Sequence, residues 1–381
     1  MAETDTTATS PEGKLPKRKV NPLAAVLAGE GPSRRQRLLL ALAVLAAVAL
    51  PYALRGGDRW ITLFTIVIIW AVLASGLNIV VGFTGLLDLG YVAFFAIGGY
   101  YWAIVTVQVL QNHFGLDLTQ LWWIGWINLI LAGIIASAAG AVLGYPTLRL
   151  RGDYLAIMTL GFGEIIRITA TNWVGLTRGP SGIRGIPNPA IGGFVFNSSM
   201  RLYYLALVLA LVSLFIISRM VRSRVGRAWT AIREDEIAAE AMGIHTSRYK
   251  LLSYASGGFF GGLMGAFFAQ YIQFIHPSNF KLLESIVILS LVVLGGMGSI
   301  AGPVIGAVIW IGTQEWLRDV PFVQAHPEVR GIAMGLILVV LMIVRPQGLL
   351  GSRRVALEMR PGSRTELAHE EQSLFDTRDE V

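Results

Sequence analysis

The sequence predicts an all-α integral membrane protein, a polytopic helical bundle with about ten membrane segments and a range of 8-10. Composition supports this class, since 54% of the residues are hydrophobic and only 14% are charged, against about 25% charged residues in soluble domains. So few charged groups cannot cover a soluble surface. The second observation is that long apolar runs, separated by short polar stretches, recur from residue 38 to residue 344.

Each predicted segment is an apolar run close to the length that a helix needs to cross a bilayer, about 20 residues. The runs are Leu38–Leu54, Trp60–Val81, Tyr91–Leu110, Leu121–Gly144, Tyr154–Val174, Leu202–Ser218, Leu251–Ile272, Leu282–Gly295, Ala301–Trp316 and Gly331–Val344. Because some runs are short, the sequence leaves open whether the segments near 38–54 and 301–317 cross fully.

Both ends of the chain are predicted to lie outside the bundle. Residues 1–35 are basic and rich in Thr, Pro and Gly, which is typical of disordered chain, and they lack the pattern of a cleavable signal. Residues 351–381 are expected to form a disordered polar tail. The membrane domain is therefore expected at 36–350, with a polar loop at 219–250 inside it.

The distribution of basic residues predicts the orientation. If every segment crosses, 22 of the 31 Lys and Arg residues lie on the side of the N-terminus and 8 on the other, with Arg167 inside a segment. The positive-inside rule places the richer side in the cytoplasm, together with both termini. This distribution also accounts for the net charge of +7 without a nucleic-acid partner.

The polar island, defined here as Ser218–Lys250, interrupts the bundle between the sixth and seventh segments. Its apolar residues recur every three or four positions, which predicts helix. Asp235 stands at an N-cap position, and Gly243 stands where a helix would stop. We expect one or two short amphipathic helices that present a face to a soluble partner, and the alternative is a plain solvated loop.

Glycine patterns make two further predictions. The turn-rich stretches Gly82–Gly90 and Gly295–Pro303 lie at membrane depth, where irregular backbone is tolerated only if it is buried in protein or lines a wet cavity. Their loose similarity hints at an internal repeat of the kind that transporters use. Glycines four residues apart predict close helix packing rather than a ligand site. They are Gly257, Gly261 and Gly265, then Gly258 and Gly262, then Gly298, Gly302 and Gly306.

Three ionisable residues fall at or near membrane depth: Asp88, Glu164 and Arg167. Such groups normally face a bundle interior or a pathway, so all three are candidates for the lining of a translocation route. Glu164 and Arg167 are three residues apart on one helix face and can instead form a structural ion pair. Asp88 can instead cap the start of the third segment.

Several chemistries are excluded or disfavoured. The chain has no cysteine, no zinc-binding His-Glu-x-x-His motif and no phosphate-binding loop, so no metal, cofactor or ATP hydrolysis is expected of it. Gly179-Pro-Ser-Gly182 matches the serine tetrad of rhomboid-like intramembrane proteases. That chemistry needs a general base, and all five histidines fall in loops, at segment ends or in the tail. The tetrad is therefore expected to form a turn, and no catalytic residue is predicted.

Several stretches, taken together and in order, resemble the inner-membrane permeases of branched-chain amino acid ABC importers, specifically the LivM type. One of them reads Gly85-Leu-Leu-Asp-Leu-Gly90. The matching stretches are Gly76–Gly82, Gly85–Gly98, Arg151–Arg167, Gly179–Ile183, Gly226–Gly243, Gly295–Gly306 and Arg345–Leu349. They cover roughly residues 60 to 350.

The resemblance implies an ABC importer permease fold and a heteromeric machine in the bilayer of the bacterial inner membrane. Its other parts would be a second homologous permease subunit, two cytoplasmic ATPase subunits and a periplasmic amino-acid-binding protein. The island would be the coupling helix that enters the ATPase, through Arg233, Glu234, Asp235, Glu236, Ala238, Ala239, Glu240 and Gly243. ABC permease loops carry Glu-Ala-Ala followed by Gly, and this chain departs from that pattern by Ile237, inserted after Glu236.

Two alternatives stay open at this point. The same machine can carry urea or short amides in place of leucine, isoleucine or valine, because related permeases do so. A stand-alone secondary transporter or channel would work without partner subunits and would not need the amphipathic island.

Overall fold

The structure is a computed structural model that describes residues 34–53, 58–115, 122–147, 150, 152–326, 328–344 and 348–350. The long helices are α1 (Arg34–Ala53), α2 (Asp58–Asn78), α3 (Val92–Ala103), α4 (Trp122–Thr147), α5 (Asp153–Asn172), α7 (Ser199–Val221), α8 (Arg224–Glu234), α10 (Thr246–Ile272), α11 (Leu282–Gly295), α12 (Gly302–Arg318) and α14 (Glu328–Val344). The short helices are α6 (Val174–Thr177), α9 (Glu236–Ala241) and α13 (Pro321–Ala325). The predicted disorder of residues 1–35 and of the tail 351–381 concerns residues outside those described, except for Arg34 and Arg35, which begin α1 and are helical.

The predicted helical class is confirmed, and a helix occupies each of the ten predicted segments. By length and apolar composition, six stretches of the described chain suffice to cross a membrane. They are Asp58–Phe83, Val92–Gln111, Trp122–Pro146, Asp153–Asn172, Ser199–Val221 and Thr246–Ile272. Leu282–Gly295 and Val329–Val340 are shorter apolar helices. The count of about ten crossings therefore stays a prediction.

Helix α10 lies at the centre of the bundle, packed most extensively against α4 and α3. Its glycines permit this approach, because a Cβ on Gly262 would overlap Ala136 of α4 and a Cβ on Gly265 would overlap the carbonyl oxygen of Phe95 in α3. The predicted use of these glycines for close helix packing is confirmed. Small residues on one helix let the backbone of the next approach closely.

The end of the bundle that lies away from the island, called the far end below, is held together by the loops that follow α5 and α10. Strand β1 (Ile183–Arg184) pairs antiparallel with β4 (Phe274–Ile275), and a hairpin of β2 (Ala190–Ile191) and β3 (Phe194–Val195) lies between β1 and α7 in the chain. Arg59 at the start of α2 forms ion pairs with Glu315 and Asp319 at the end of α12.

The tetrad Gly179–Gly182 lies at this far end, where Gly179–Ser181 forms a single 3₁₀ turn, as expected. His276 is the histidine beside it, and both of its ring nitrogens are engaged. Nδ1 bonds to Ser278, and Nε2 lies 2.8 Å from the carbonyl oxygen of Pro180. The ring thus joins two turns and is not placed as a general base.

We predict that Gly262→Val destabilises the bundle, because the added side chain must displace the backbone of α4. Overpacking of a core costs about 1–3 kcal/mol, and contact with backbone leaves little room for relaxation. The thermal midpoint of the purified protein in detergent measures this. Gly312→Val is the matched control, since nothing lies within 4 Å of a Cβ at Gly312. Equal midpoints for the two variants would contradict the prediction.

Candidate functional site

The island folds as two short helices, α8 and α9, which confirms the predicted amphipathic helices. Ser223 caps α8, since its Oγ accepts a hydrogen bond from the backbone N–H of Val225 at 3.1 Å. The indole of Trp229 is fully buried, and its Nε1–H donates to the carbonyl oxygen of Tyr249 at 2.8 Å. Around it lie the buried side chains of Ile79, Phe83, Ile217 and Phe260. Helix α8 is therefore part of the hydrophobic interior and not an appended loop.

Helix α9 begins and ends where the sequence predicts. Oδ1 of Asp235 accepts hydrogen bonds from the backbone N–H groups of Ile237 and Ala238, at 2.8 and 2.9 Å. Gly243 follows the helix with φ of +85°, a left-handed conformation that glycine adopts at little cost. The N–H of Ile244 then returns to the carbonyl oxygen of Ala239 at 3.0 Å. Both ends of this six-residue helix are thereby fixed.

A third contact ties α9 to α10. Nζ of Lys250 lies 2.6 Å from Oε1 of Glu236, and the two side chains are 4% and 24% exposed. An ion pair this well shielded requires both partners, because removal of one leaves a charge away from water. The pair therefore fixes the angle at which α9 leaves the bundle.

These contacts leave one face of the island open. Ile237 is 67% exposed and Met242 is 84% exposed. The other exposed members of this set are Glu234, Asp235, Ala238, Glu240, Ala241 and Gly243. The docking face, as we call this set of eight, is a small apolar tip beside acidic side chains. Of the residues predicted to contact an ATPase, Ala239 is buried and Glu236 is partly buried, so they support the face from behind.

Arg233 does not belong to the docking face. It stands four residues after Trp229 and thus on the buried side of α8. Its guanidinium Nη1 donates a hydrogen bond to the carbonyl oxygen of Gly82. A Cβ on Gly298 would lie 2.7 Å from the same Nη1, and a Cβ on Gly85 would lie 2.9 Å from Cγ of Arg233. The side chain therefore lies against both predicted glycine turns.

The two glycine turns are joined directly to each other. Asn78, 1% exposed, spans them: its Oδ1 accepts from the N–H of Gly298 at 3.0 Å, and its Nδ2 donates to the carbonyl oxygen of Ser299 at 2.8 Å. A Cβ on Gly82 would collide with this same side chain and with the backbone N of Gly298. The turns at 82–90 and 295–303 thus form one unit beneath Arg233.

Other side chains satisfy the backbone where the helices break. Oγ1 of Thr159 accepts from the N–H of Leu89, and Oγ of Ser285 accepts from the N–H of Val92, both at 3.0 Å. Such partners are needed because lipid supplies none.

Asp88 forms a local hydrogen bond ahead of α3 but does not cap this helix, whose N-cap residue is Tyr91 without a side-chain cap. Its Oδ1 accepts from the N–H of Gly90 at 2.8 Å, just before α3 begins. The side chain is only 1% exposed, and its Oδ2 has no hydrogen-bond partner among the described residues. Whether this buried carboxylate also faces a route stays a prediction.

Glu164 and Arg167 form the predicted ion pair on α5, with both Nε and Nη2 of the guanidinium donating to the carboxylate. The side chain of Glu164 is 38% exposed and that of Arg167 is 30% exposed. The pair therefore lies on an open helix face. Its role in a pathway stays a prediction.

Sequence analysis missed two residues of this site. Asn78 is a lone amide in an apolar run, and Lys250 is the last charged residue before the long apolar part of α10. In both cases the sequence does indicate a buried contact, because a polar group within an apolar segment needs a partner. The partners themselves, Gly298 and Glu236, lie too far along the chain for a local pattern to identify.

A protein-family model matches most of the chain. The model described as "Branched-chain amino acid transport system / permease component" matches residues 60–342. This range includes both glycine turns and the whole island.

Curated relatives match over similar lengths. The high-affinity branched-chain amino acid transport system permease protein LivM of Salmonella typhimurium is 39% identical over 356 residues, which cover 87% of this chain and 79% of that protein. LivM of Escherichia coli is also 39% identical, over 88% of this chain and 79% of its own. The permease protein LivH of the same named system in Salmonella typhimurium is 27% identical, over 75% of this chain and 92% of its own. No solved structure matches.

We predict that Glu236→Gln lowers the thermal midpoint of the protein in detergent. The expected loss is about 1–3 kcal/mol, less than for a fully buried pair, because Glu236 is 24% exposed. The double variant Glu236→Gln, Lys250→Met is expected to recover most of it, since no unpaired charge then remains. Asp319→Asn breaks an exposed ion pair at the far end and serves as the control. The prediction is wrong if Glu236→Gln behaves like this control.

Proposed function

Since the chain belongs to the family of branched-chain amino acid transport system permease components, we propose that it is the transmembrane permease subunit of an ATP-driven importer of leucine, isoleucine and valine. It is a transport protein and not an enzyme. The names of the LivM relatives, at 39% identity, support the substrate class. The observation that carries the mechanism is the docking face, held rigidly and left open at the edge of the bundle.

The docking face suits a soluble partner. An exposed apolar pair, Ile237 and Met242, stands on a helix that the cap at Asp235, the stop at Gly243 and the Glu236–Lys250 pair hold in place. A short helix of this kind binds by placing its apolar side chains in a groove, and the flanking carboxylates favour a basic rim around that groove. We assign the groove to an ATPase subunit, because the chain has no phosphate-binding loop of its own.

A second homologous permease is proposed to pack against α5. Only 28% of the apolar window of this helix is buried within the chain, the lowest share among the six spans. A charged side chain in the middle of a bilayer costs about 2.5–3.5 kcal/mol even on permissive scales. The open pair Glu164–Arg167 is therefore costly to place against lipid and fits a subunit interface or a wet passage. Matches to both LivM and LivH are consistent with two related permeases in one machine.

The proposed cycle follows from this arrangement. A periplasmic binding protein delivers the amino acid at the far end, and two ATPases act on the islands of the two permeases in the cytoplasm. ATP closes the ATPase dimer, the docking faces move with it, and the permeases switch access. The substrate shifts this equilibrium only through its different affinity for the two states. Asp88, beside α5 through the bond from Leu89 to Thr159, lies close to the proposed passage.

The test is uptake in proteoliposomes that contain this chain, its partner permease, both ATPases and the binding protein. We expect uptake of labelled leucine that requires ATP and that excess urea does not reduce. Uptake of urea in place of leucine would contradict the proposed substrate and leave the proposed ATP-driven importer in place. Uptake by this chain alone, without ATP, would overturn the importer itself in favour of a secondary transporter.

For the docking face, we predict that Met242→Asp and Glu240→Arg each reduce uptake about tenfold or more, equivalent to about 1.4 kcal/mol of lost interaction. Neither change touches the packed side of α9, so the amount of inserted chain is expected to stay constant. Ser247→Asp is the control, because Ser247 is exposed on the island outside the docking face. Unchanged uptake in Met242→Asp would exclude this face as the ATPase contact.

For α5, the double variant Glu164→Leu, Arg167→Leu tests whether the exposed face of this helix lines a passage or faces lipid. We expect normal insertion and an unchanged or higher thermal midpoint, because an ion pair is replaced by apolar side chains, while uptake falls. Ile168→Leu, four residues after Glu164 on the same exposed face, is the control. Full uptake by the double variant would show that transport does not need this ion pair and would contradict its proposed place in a passage.

A further inference from the structure

Arg233 connects the island to the places where the membrane helices break. Its Nη1 donates to the carbonyl oxygen of Gly82, which belongs to the π-helical end of α2, Ile79–Phe83. The last carbonyl groups of a helix lack partners within it, and a cation there also interacts favourably with the helix dipole. The guanidinium therefore holds the end of α2 by both a hydrogen bond and its charge.

Both glycine turns provide the space for this side chain. A Cβ added to Gly85 would lie only 2.9 Å from Cγ of Arg233, and a Cβ added to Gly298 would lie 2.7 Å from its Nη1. Any larger residue at either glycine would displace the arginine. Both glycines also have positive φ, +77° at Gly85 and +75° at Gly298. The side chain thus fills the space between two glycine turns that lie far apart in the sequence.

What Arg233 contacts is a single body. Asn78 joins the first turn to Gly298 and Ser299 of the second, and those turns lead into α3 and α12 respectively. Beside it, Trp229 fixes α8 to the same π-helical stretch by apolar contact. A displacement of α8 therefore reaches the starts of α3 and α12 together. Arg233 is the side chain of α8 that hydrogen-bonds to the first turn and lies against the second.

From these contacts we infer that Arg233 is a positioning residue: it transmits movement of the island to the joined glycine turns, and it is not part of the surface that contacts the ATPase. This inference rests on the proposed docking of the island. Without the arginine, the ATPase still binds the docking face and hydrolyses ATP. The C-terminal end of α2 and the starts of α3 and α12 then no longer follow the movement of the island.

The first experiment compares uptake per ATP hydrolysed in the full complex. Arg233→Ala is expected to lower this ratio about tenfold, within the 5- to 150-fold range of typical coupling between sites. Arg233→Lys is expected to recover part of it, because the cation still reaches one carbonyl but lacks the planar fork. Arg227→Ala, exposed on α8, is the control. An unchanged ratio in Arg233→Ala, even with less complex assembled, would show a merely structural cap and overturn the inference.

The second experiment does not depend on the substrate. The chain has no cysteine, so Leu87→Cys places a single thiol on the exposed part of the first glycine turn. Maleimide labelling is followed in the full complex, with and without nucleotide trapped by vanadate. We expect a labelling rate that responds to nucleotide in the Arg233 background and does not respond in Arg233→Ala.

The two experiments distinguish failure of the proposed function from failure of the inferred role of Arg233. A nucleotide response at Leu87→Cys without leucine uptake would overturn the proposed substrate and leave the role of Arg233 in place, provided that Arg233→Ala removes the response. Absence of any response with Arg233 present, or the same response in Arg233→Ala, would overturn the inference whatever the complex transports.

Discussion

Lipid offers no hydrogen bonds, so the backbone groups that are freed where a helix breaks inside this bundle must find partners in the protein. The glycine turns meet this constraint with side chains from distant helices. Asn78 holds Gly298 and Ser299, Thr159 of α5 holds Leu89, and Ser285 of α11 holds Val92. The positions of α3, α5, α11 and α12 relative to one another thus depend on a few polar contacts at the two breaks.

The island is built into the same arrangement by three contacts of different chemistry. Trp229 enters the hydrophobic interior, Arg233 reaches a helix-end carbonyl, and Lys250 pairs with Glu236 out of reach of most water. Apolar contact resists separation, whereas the charged contacts require a defined geometry and so fix direction. Together they make the exposed helix α9 a rigid extension of the bundle, while α5 on another side remains largely uncovered by its own chain.

Much of this fold follows from local pattern. Apolar runs predicted the helices, and the cap at Asp235 and the stop at Gly243 were predicted because both act within a few residues. The direction of Arg233 does not follow from its adjacency to Glu234 and Asp235, because each residue along a helix turns the side chain by about 100°. Its spacing of four from Trp229 was the available signal. The partners of Asn78, which lie 220 and 221 residues away, cannot be deduced from one sequence without the fold.

The capped, six-residue helix α9 has a consequence for how such subunits acquire their partners. Since its backbone is already ordered by Asp235, Gly243 and the Glu236–Lys250 pair, binding costs little conformational entropy. The side chains of Ile237 and Met242, which form the apolar part of the docking face, are not among the groups that supply this order. In the proposed complex, Ile237 and Met242 can therefore be substituted to match a different partner's groove while the membrane domain stays unchanged.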